Sequence, residues 1–280
     1  MLDSEATHVL RQYAGCTDSE IDLAEAALVL ASRARPGVSL NRYRNHLAEL
    51  VQSVGSAFES LPEGPSRQQD ALASVIHDNF GYEGDRQTYD DLQNANLMRV
   101  IDRRKGLPIA LGILYLHCGR ALGWDICGLN FPGHFLIRLD TRFGEDARRT
   151  LIDPFNGGGE VTVAELRDLL KATHGEEAEL SPGHYTEADN RDILIRLQNN
   201  RKIRLLKADK IAEGLAAVED MLLFAPGEAG LWHEAGLLNA HQGNLRAALI
   251  AFDHCYDLTT NPAERAQIAD LISEIRGRLN

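Results

Sequence analysis

The chain lacks a surplus of positive charge and has no long apolar run. It carries 29 lysine and arginine residues against 41 aspartate and glutamate residues, which gives a formal net charge of −12. This balance disfavours a non-specific contact with nucleic acid phosphates and adsorption to an anionic membrane surface. The best apolar run, residues 107–116, is about half the length that a membrane helix needs. We therefore expect neither nucleic acid nor membrane as a partner.

Cysteine is also scarce, with four residues and no Cys-x-x-Cys pair. The N-terminus shows no basic leader followed by an apolar segment, so no secretion signal is predicted. Cysteines in such a chain are expected to be reduced thiols, and the expected location is the cytoplasm. No His-x-His or His-Glu-x-x-His spacing is present, and we expect neither a metal nor a cofactor.

Helical periodicity dominates the first third of the chain. The length of 280 residues is typical of two domains. The apolar spacing predicts one helix that begins at Asp18, a second over residues 40–61 and a third over residues 66–76. A proline- and glycine-containing break at residues 62–65 separates the second helix from the third.

The middle of the chain changes character. Pro108 precedes an apolar segment, residues 109–122, which predicts a helix buried on nearly all sides. Three strand-like segments follow, with turns at Pro132-Gly133 and at residues 142–145. The predicted strands are 125–130, 134–140 and 150–152. A buried helix followed by a short antiparallel sheet indicates an α+β domain.

The last third is helical again and contains a repeat. Five residues follow the spacing of the tetratricopeptide repeat, namely Trp232, Gly236, Ala248, Phe252 and Pro262. A weaker copy ends at Pro226, which lies 36 residues before Pro262 and so near the expected period of about 34. Stacked repeats of this kind commonly form a binding groove, so we expect a protein or peptide partner for this region.

His134 and Asp153 are the strongest candidates for chemistry. His134 follows a turn at the start of a predicted strand, and Asp153 lies just past the next strand. If these strands pair in antiparallel fashion, the two side chains meet. An aspartate then orients the imidazole and raises its basicity, as in a nucleophilic triad. The alternative interpretation is a structural hydrogen bond that closes a hairpin.

A triad also requires a nucleophile. The expected position is the N-terminus of the buried helix, where the helix dipole stabilises a thiolate. Pro108 occupies that position and cannot attack a substrate. Cys118 lies ten residues further on, a distance of about 15 Å along a helix. We expect Cys118, like Cys127 in a predicted strand, to be a small buried apolar residue.

Three segments of this sequence resemble a known family. They are Arg-Lys-Gly-Leu-Pro-Ile-Ala-Leu at 104–111, Asn-Phe-Pro-Gly-His-Phe-Leu-Ile-Arg at 130–138 and Ile-Asp-Pro-Phe-Asn-Gly-Gly at 152–158. Together they are similar to the SirB1 family of bacterial proteins. Members of that family look like transglutaminase-like domains with a papain-like core, followed by tetratricopeptide repeats.

The resemblance implies a division into two domains. A SirB1/transglutaminase-like domain is expected over residues 1–186, with a helical N-terminal part at 1–65 and the core at 66–186. An all-α tetratricopeptide-type domain is expected over residues 187–280.

The same resemblance implies roles for the candidate residues. His134 and Asp153 occupy the family's histidine and aspartate positions, and the cysteine position of transglutaminase-like enzymes falls at or beside Pro108. We therefore expect a non-catalytic protein, a pseudoenzyme, that binds a protein or peptide partner. The alternative is a cysteine-type hydrolase or acyltransferase that uses a displaced thiol, Cys118 or Cys127.

Further residues are candidates for lining a cleft. The asparagines near the buried helix have an alternative role as caps of local structure. The basic residues just before that helix, Arg103 to Lys105, are expected at the surface, with the lining of a cleft for an acidic group as the alternative. The candidate binding residues are Asn94, Asn96, Arg104, Asn130 and Trp232.

Overall fold

Helices occupy most of the first 80 residues in the computed structural model, which describes residues 3–143 and 146–279. They are α1 (Asp3–Ala14), α2 (Leu23–Arg33), α3 (Asn41–Ser60) and α4 (Arg67–Leu72), which continues as a π-helical turn over Ala73–Asn79. The prediction of a helix start at Asp18 is wrong. Asp22 caps α2 by accepting a hydrogen bond from the Glu25 N–H, and Asp18 begins a short 3-10 turn instead.

Helix α6 (Pro108–Ala121) is the buried central helix of the α+β part of the chain. Its first turn accepts Pro108 because the N–H groups there have no partner within the helix. Nearly every residue from Pro108 to Cys118 is buried, which confirms the prediction of a helix buried nearly all round. It is preceded by helix α5 (Leu97–Arg103) and by the parallel pair β1 (Glu83–Gly84) and β2 (Lys105–Gly106).

An antiparallel sheet follows α6. Its strands are β3 (Asp125–Leu129), β4 (Leu136–Phe143), β5 (Asp146–Asp153), β6 (Gly159–Glu160) and β7 (Glu187–Ala188), in the order β6-β5-β4-β3-β7. The three predicted strands are present, but β4 begins two residues after His134, and β5 is longer than predicted. In the predicted turn at 142–145, residues 144 and 145 lie outside the described residues.

The sheet packs between two helices. On one side, α7 (Val163–His174) contributes Leu166 and Leu170 to a buried cluster with Leu129 and Leu136. On the other side, Phe135 lies against Gly112 of α6 and Gly128 of β3, where a Cβ atom would come within 2.4 Å and 2.6 Å of its ring. This arrangement of a buried helix and a small antiparallel sheet is the expected α+β fold.

The end of the chain consists of helices. They are α8 (Asn190–Lys207), α9 (Ile211–Phe224), α10 (Ala229–His241), α11 (Leu245–Leu258) and α12 (Pro262–Leu279). Gly236 of α10 packs directly on Phe252 of α11, since a Cβ at Gly236 would lie 2.5 Å from that ring. A small residue here therefore lets the two helices approach closely. None of the described helices is long and apolar enough to cross a membrane.

The described chain forms two compact units. The first spans Asp22–Ile193, and the second combines the described residues before Asp22 with those after Ile193. Within the second unit α1 packs against α9, a contact that the sequence did not predict. The change from one unit to the other falls inside α8.

Candidate functional site

A tight turn positions His134 in the loop between β3 and β4. Gly133 has a φ of +70°, and a Cβ there would lie 2.4 Å from the side chain of Thr173. Both facts require glycine, because an L side chain is strained at this φ and finds no room. The buried rings of Phe131 and Phe135 fix the loop on either side of His134. The imidazole is largely buried, with 12% of its side chain exposed.

Asp153 ends β5 and accepts hydrogen bonds from three groups. They are His134 Nε2 at 2.9 Å, the Phe155 backbone N–H at 2.9 Å and the Asn156 side-chain Nδ2 at 2.6 Å. Because a carboxylate only accepts, the proton of the neutral imidazole is on Nε2. The residue is 3% exposed, so these donors replace water around a buried charge. The predicted contact between His134 and Asp153 is confirmed.

The pairing of β4 with β5 explains this contact. The two strands are antiparallel neighbours, and Ile137 is opposite Ile152. The residues just before β4 therefore lie beside the end of β5, where Asp153 is located. The ring of Phe155 contacts the imidazole edge-on, with centroids 6.1 Å apart. The pair is thus held by strand register and by packing.

Cys118 lies on the third turn of α6 and is fully buried. Burial raises the pKa of its thiol to about 12. Cys127 lies in β3, where burial raises its pKa to about 11 despite the nearby charge of Arg138. Both residues are thiols at neutral pH, and the thiol form is a poor nucleophile. The first turn of α6 carries Pro108, Ile109, Ala110 and Leu111, none of which is nucleophilic.

The candidate asparagines hold backbone segments. Asn94 is fully buried, and its Nδ2 donates to the Thr88 carbonyl oxygen at 2.7 Å. Asn96 caps α5 by accepting from the Arg99 N–H at 3.1 Å, and its Nδ2 donates to the Ala31 carbonyl oxygen at 3.0 Å. Both side chains therefore stabilise the chain that leads into α6.

The other candidate binding residues are located elsewhere. Arg104 donates to the Tyr82 hydroxyl and, at 2.6 Å, to His46 Nε2. Burial, together with this guanidinium, lowers the pKa of His46. Asn130 donates to the Glu187 carbonyl oxygen at 3.4 Å. Trp232 donates to a backbone carbonyl and stacks on a histidine ring 4.3 Å away, within the second unit.

Asn156, which donates to Asp153, also lines a cleft. The cleft has a volume of about 390 Å³ and includes residues from β1, β2 and the segment after β5. Lys105 lines this cleft. From the sequence, this position is the alternative to a surface location for Lys105. No sequence pattern indicated His77 and Arg86, because they are single polar residues in separate segments that meet only in the folded chain.

Asp85 fixes the loop between β1 and α5 that carries Arg86. Its carboxylate is 2% exposed and accepts hydrogen bonds from the Thr88 N–H, the Thr88 hydroxyl and the Arg103 guanidinium. Burial acts to raise the pKa of Asp85, but the hydrogen bonds from Thr88 and Arg103 outweigh it and hold the pKa below the ordinary value of 3.8.

The chain is similar to two family profiles and to several individual proteins. Residues 41–199 match the profile of the transglutaminase-like superfamily, and residues 202–274 match that of the tetratricopeptide repeat. A UPF0162 protein of Vibrio cholerae is 30% identical over 239 residues, which is 84% of this chain and 87% of the relative. A UPF0162 protein of Pseudomonas aeruginosa is 27% identical over 263 residues, 90% of each chain. Human F-box only protein 21 is 34% identical over 110 residues, 38% of this chain and 17% of that protein.

Replacing His134 tests how far the buried carboxylate depends on it. We expect His134→Ala to lower the free energy of unfolding by about 1–3 kcal/mol, because Asp153 loses one of its donors. Urea unfolding measures the change. The control is His174→Ala at an exposed position of α7, with an expected effect within about 0.5 kcal/mol. Equal stability of the two variants would contradict a structural role of the pair.

The depressed pKa of Asp85 predicts a specific pH dependence. A carboxyl group whose pKa is lower in the folded state stabilises the fold fully above its unfolded pKa, here 3.8, and this stabilisation is lost progressively as the pH falls from 3.8 through the lower pKa of the folded state. At neutral pH we expect Asp85→Asn to lower the free energy of unfolding by about 1–3 kcal/mol. The difference from the wild type should shrink below pH 3.8. Thermal unfolding at several pH values measures it, with the exposed Asp168→Asn as control; a difference independent of pH would contradict the assignment.

Proposed function

Since the chain belongs to the transglutaminase-like superfamily, we propose that it binds a protein or peptide partner and does not catalyse acyl transfer. The transglutaminase-like region keeps the histidine and aspartate of a triad, and the repeat region provides a surface for a partner. The protein then acts as a binding or regulatory module. The narrower assignment to the SirB1 family belongs to this proposal as well.

The observation that carries the proposal is the start of α6. A thiolate nucleophile requires the N–H groups and dipole at the beginning of the helix, and Pro108 is the first residue there. Cys118, the cysteine on this helix, is buried with its pKa raised to about 12. Neither residue supplies a nucleophile at neutral pH, so acyl transfer by the ordinary cysteine mechanism has no starting point.

The repeat region supports the binding part of the proposal. Tetratricopeptide repeats generally mediate protein–protein interaction, and the repeat match covers residues 202–274. A shallow cleft of about 410 Å³ lies between α10, α11 and α12, lined by Leu237, Phe252 and Leu271 among others. Leu237 is 44% exposed. An apolar cleft on stacked helices is suited to a peptide segment.

The state of the cysteines supports a cytoplasmic location as part of the same proposal. Cys16, Cys118, Cys127 and Cys255 carry thiol groups that are not joined in disulfide bonds. Thiols persist in the reducing cytosol, whereas secreted proteins of oxidising compartments commonly pair them. The proposal therefore places the binding function inside the cell.

The geometry of His134 favours one alternative function. With its Nε2 bonded to Asp153 at 2.9 Å, the imidazole is oriented as a general base would be. A hydrolase or acyltransferase that recruits Cys118 or Cys127 as a displaced thiol would use it in this way. The raised pKa of each thiol argues against this alternative.

Labelling with thiol-directed electrophiles and acyl-donor probes distinguishes the two functions. For the native protein we expect no label at Cys118 and no labelling that depends on His134, because a buried protonated thiol is unreactive. Mass spectrometry of the wild type, His134→Ala and Cys118→Ser locates each label. Partly exposed Cys16 shows that the reagent is active.

The contrary outcome is equally specific. A label at Cys118 or Cys127 that disappears in His134→Ala would identify a working base and nucleophile. Turnover of an amide or ester probe that requires both His134 and Cys118 would have the same meaning. Either result would contradict the proposed non-catalytic function and support the hydrolase or acyltransferase.

A further inference from the structure

The cleft lined by Asn156 carries positive charge in a chain whose net charge is −12. Arg86 and Lys105 contribute two cations to its lining, and Glu83 contributes one carboxylate. With His77 neutral, the four side chains have a net charge of +1. A cationic cleft in an acidic protein selects a ligand with negative charge, because the remaining surface repels it.

Lys105 is able to exchange its present partner for a ligand. It is paired with Glu83 across β1 and β2, with Lys105 Nζ 3.0 Å from Glu83 Oε1. The two side chains are 38% and 50% exposed. An ion pair this exposed contributes little to stability, so a ligand carboxylate competes for the ammonium group.

Arg86 is the second cationic group of the cleft. One terminal nitrogen of its guanidinium donates to Asn156 Oδ1, and the group lies 5.7 Å from the centroid of the Phe155 ring. A guanidinium has five N–H donors, and a carboxylate accepts two of them in parallel. Asn156 also donates to Asp153, so Arg86 is connected to the His134–Asp153 pair through one side chain.

His77 provides an acceptor in the same cleft. Its Nδ1 lies 2.8 Å from the Tyr82 carbonyl oxygen, which only accepts, so the proton of the neutral ring is on Nδ1. The other nitrogen, Nε2, is then an acceptor for an N–H of a ligand. Gly157, with a φ of +76°, lets the ring lie here, because a Cβ would come within 2.9 Å of it.

Two cations beside a hydrogen-bond acceptor match a carboxylate that has an amide N–H next to it. We propose that this cleft binds a carboxylate of the peptide partner, with Arg86 and Lys105 on the carboxylate and His77 Nε2 on a neighbouring amide N–H. The inference rests on the proposed binding function and specifies its ligand. The carboxylate comes either from the C-terminus of the partner or from an acidic side chain.

Three short peptides test the inference and separate the two sources. The first is acetyl-Gly-Ser-Ala-Ala with a free C-terminal carboxylate, the second is its C-terminal amide, and the third is acetyl-Gly-Glu-Ala-Ala-amide. Each is titrated into the full-length protein while the side-chain resonances of His77 are followed by NMR. The resonances are assigned from their loss in His77→Gln.

We expect at least one carboxylate peptide to shift the His77 resonances in a saturable way, and the uncharged amide to leave them unchanged. Lys105→Met and Arg86→Gln should each weaken binding about tenfold, since each removes a charged hydrogen bond. The control Lys171→Met removes an exposed charge on α7 and should change the affinity by less than about twofold. The peptide that binds identifies the source of the carboxylate.

Other outcomes contradict the inference. Equal binding of the uncharged amide, unchanged affinity in both cleft variants or no response to any of the three peptides would each do so. Mass spectrometry of the peptides after the titration separates this failure from that of the proposed function. Intact peptides without binding contradict the carboxylate site alone, whereas cleaved peptides contradict the non-catalytic function.

Discussion

The buried carboxylate of Asp153 is the group on which the site depends. A charge removed from water in this way requires hydrogen-bond donors, and two segments of the chain supply three of them. His134 comes from the loop before β4, while the Phe155 N–H and the Asn156 amide follow β5. Satisfying one carboxylate therefore fixes both loops at once and sets the direction of the imidazole.

The same carboxylate connects the imidazole to the cationic cleft. Asn156 donates to Asp153 with its nitrogen and accepts from Arg86 with its oxygen. In a cysteine enzyme a similar anchor would orient the base toward a thiolate at the start of the core helix. Here α6 begins with Pro108, and Asn156, which donates to Asp153, lines a cleft together with Arg86 and Lys105. We infer that in this protein the Asp153 carboxylate, through Asn156 and Arg86, positions groups that bind a ligand.

Sequence patterns predicted the elements that depend on local periodicity and turns. The helix over Asn41–Ser60, the buried α6 and the turn at Gly133 follow from apolar spacing, Pro108 and glycine, and they made the contact of His134 with Asp153 predictable. The prediction missed the start of α2 because it made Asp18 the first residue of the helix, whereas Asp18 begins a short 3-10 turn and Asp22 caps the helix. The cleft was missed because its residues lie on segments joined by the parallel pairing of β1 with β2, which no local pattern encodes.

Whether a thiolate faces His134 can be measured most directly from the ultraviolet absorbance of thiolate in the native protein. An ordinary cysteine is protonated below about pH 7, whereas a cysteine paired with an imidazolium is a thiolate there. We expect the wild type and His134→Ala to have the same thiolate absorbance throughout this range, because the thiols of α6 and β3 stay protonated. A thiolate signal present in the wild type and absent in His134→Ala would contradict the non-catalytic interpretation.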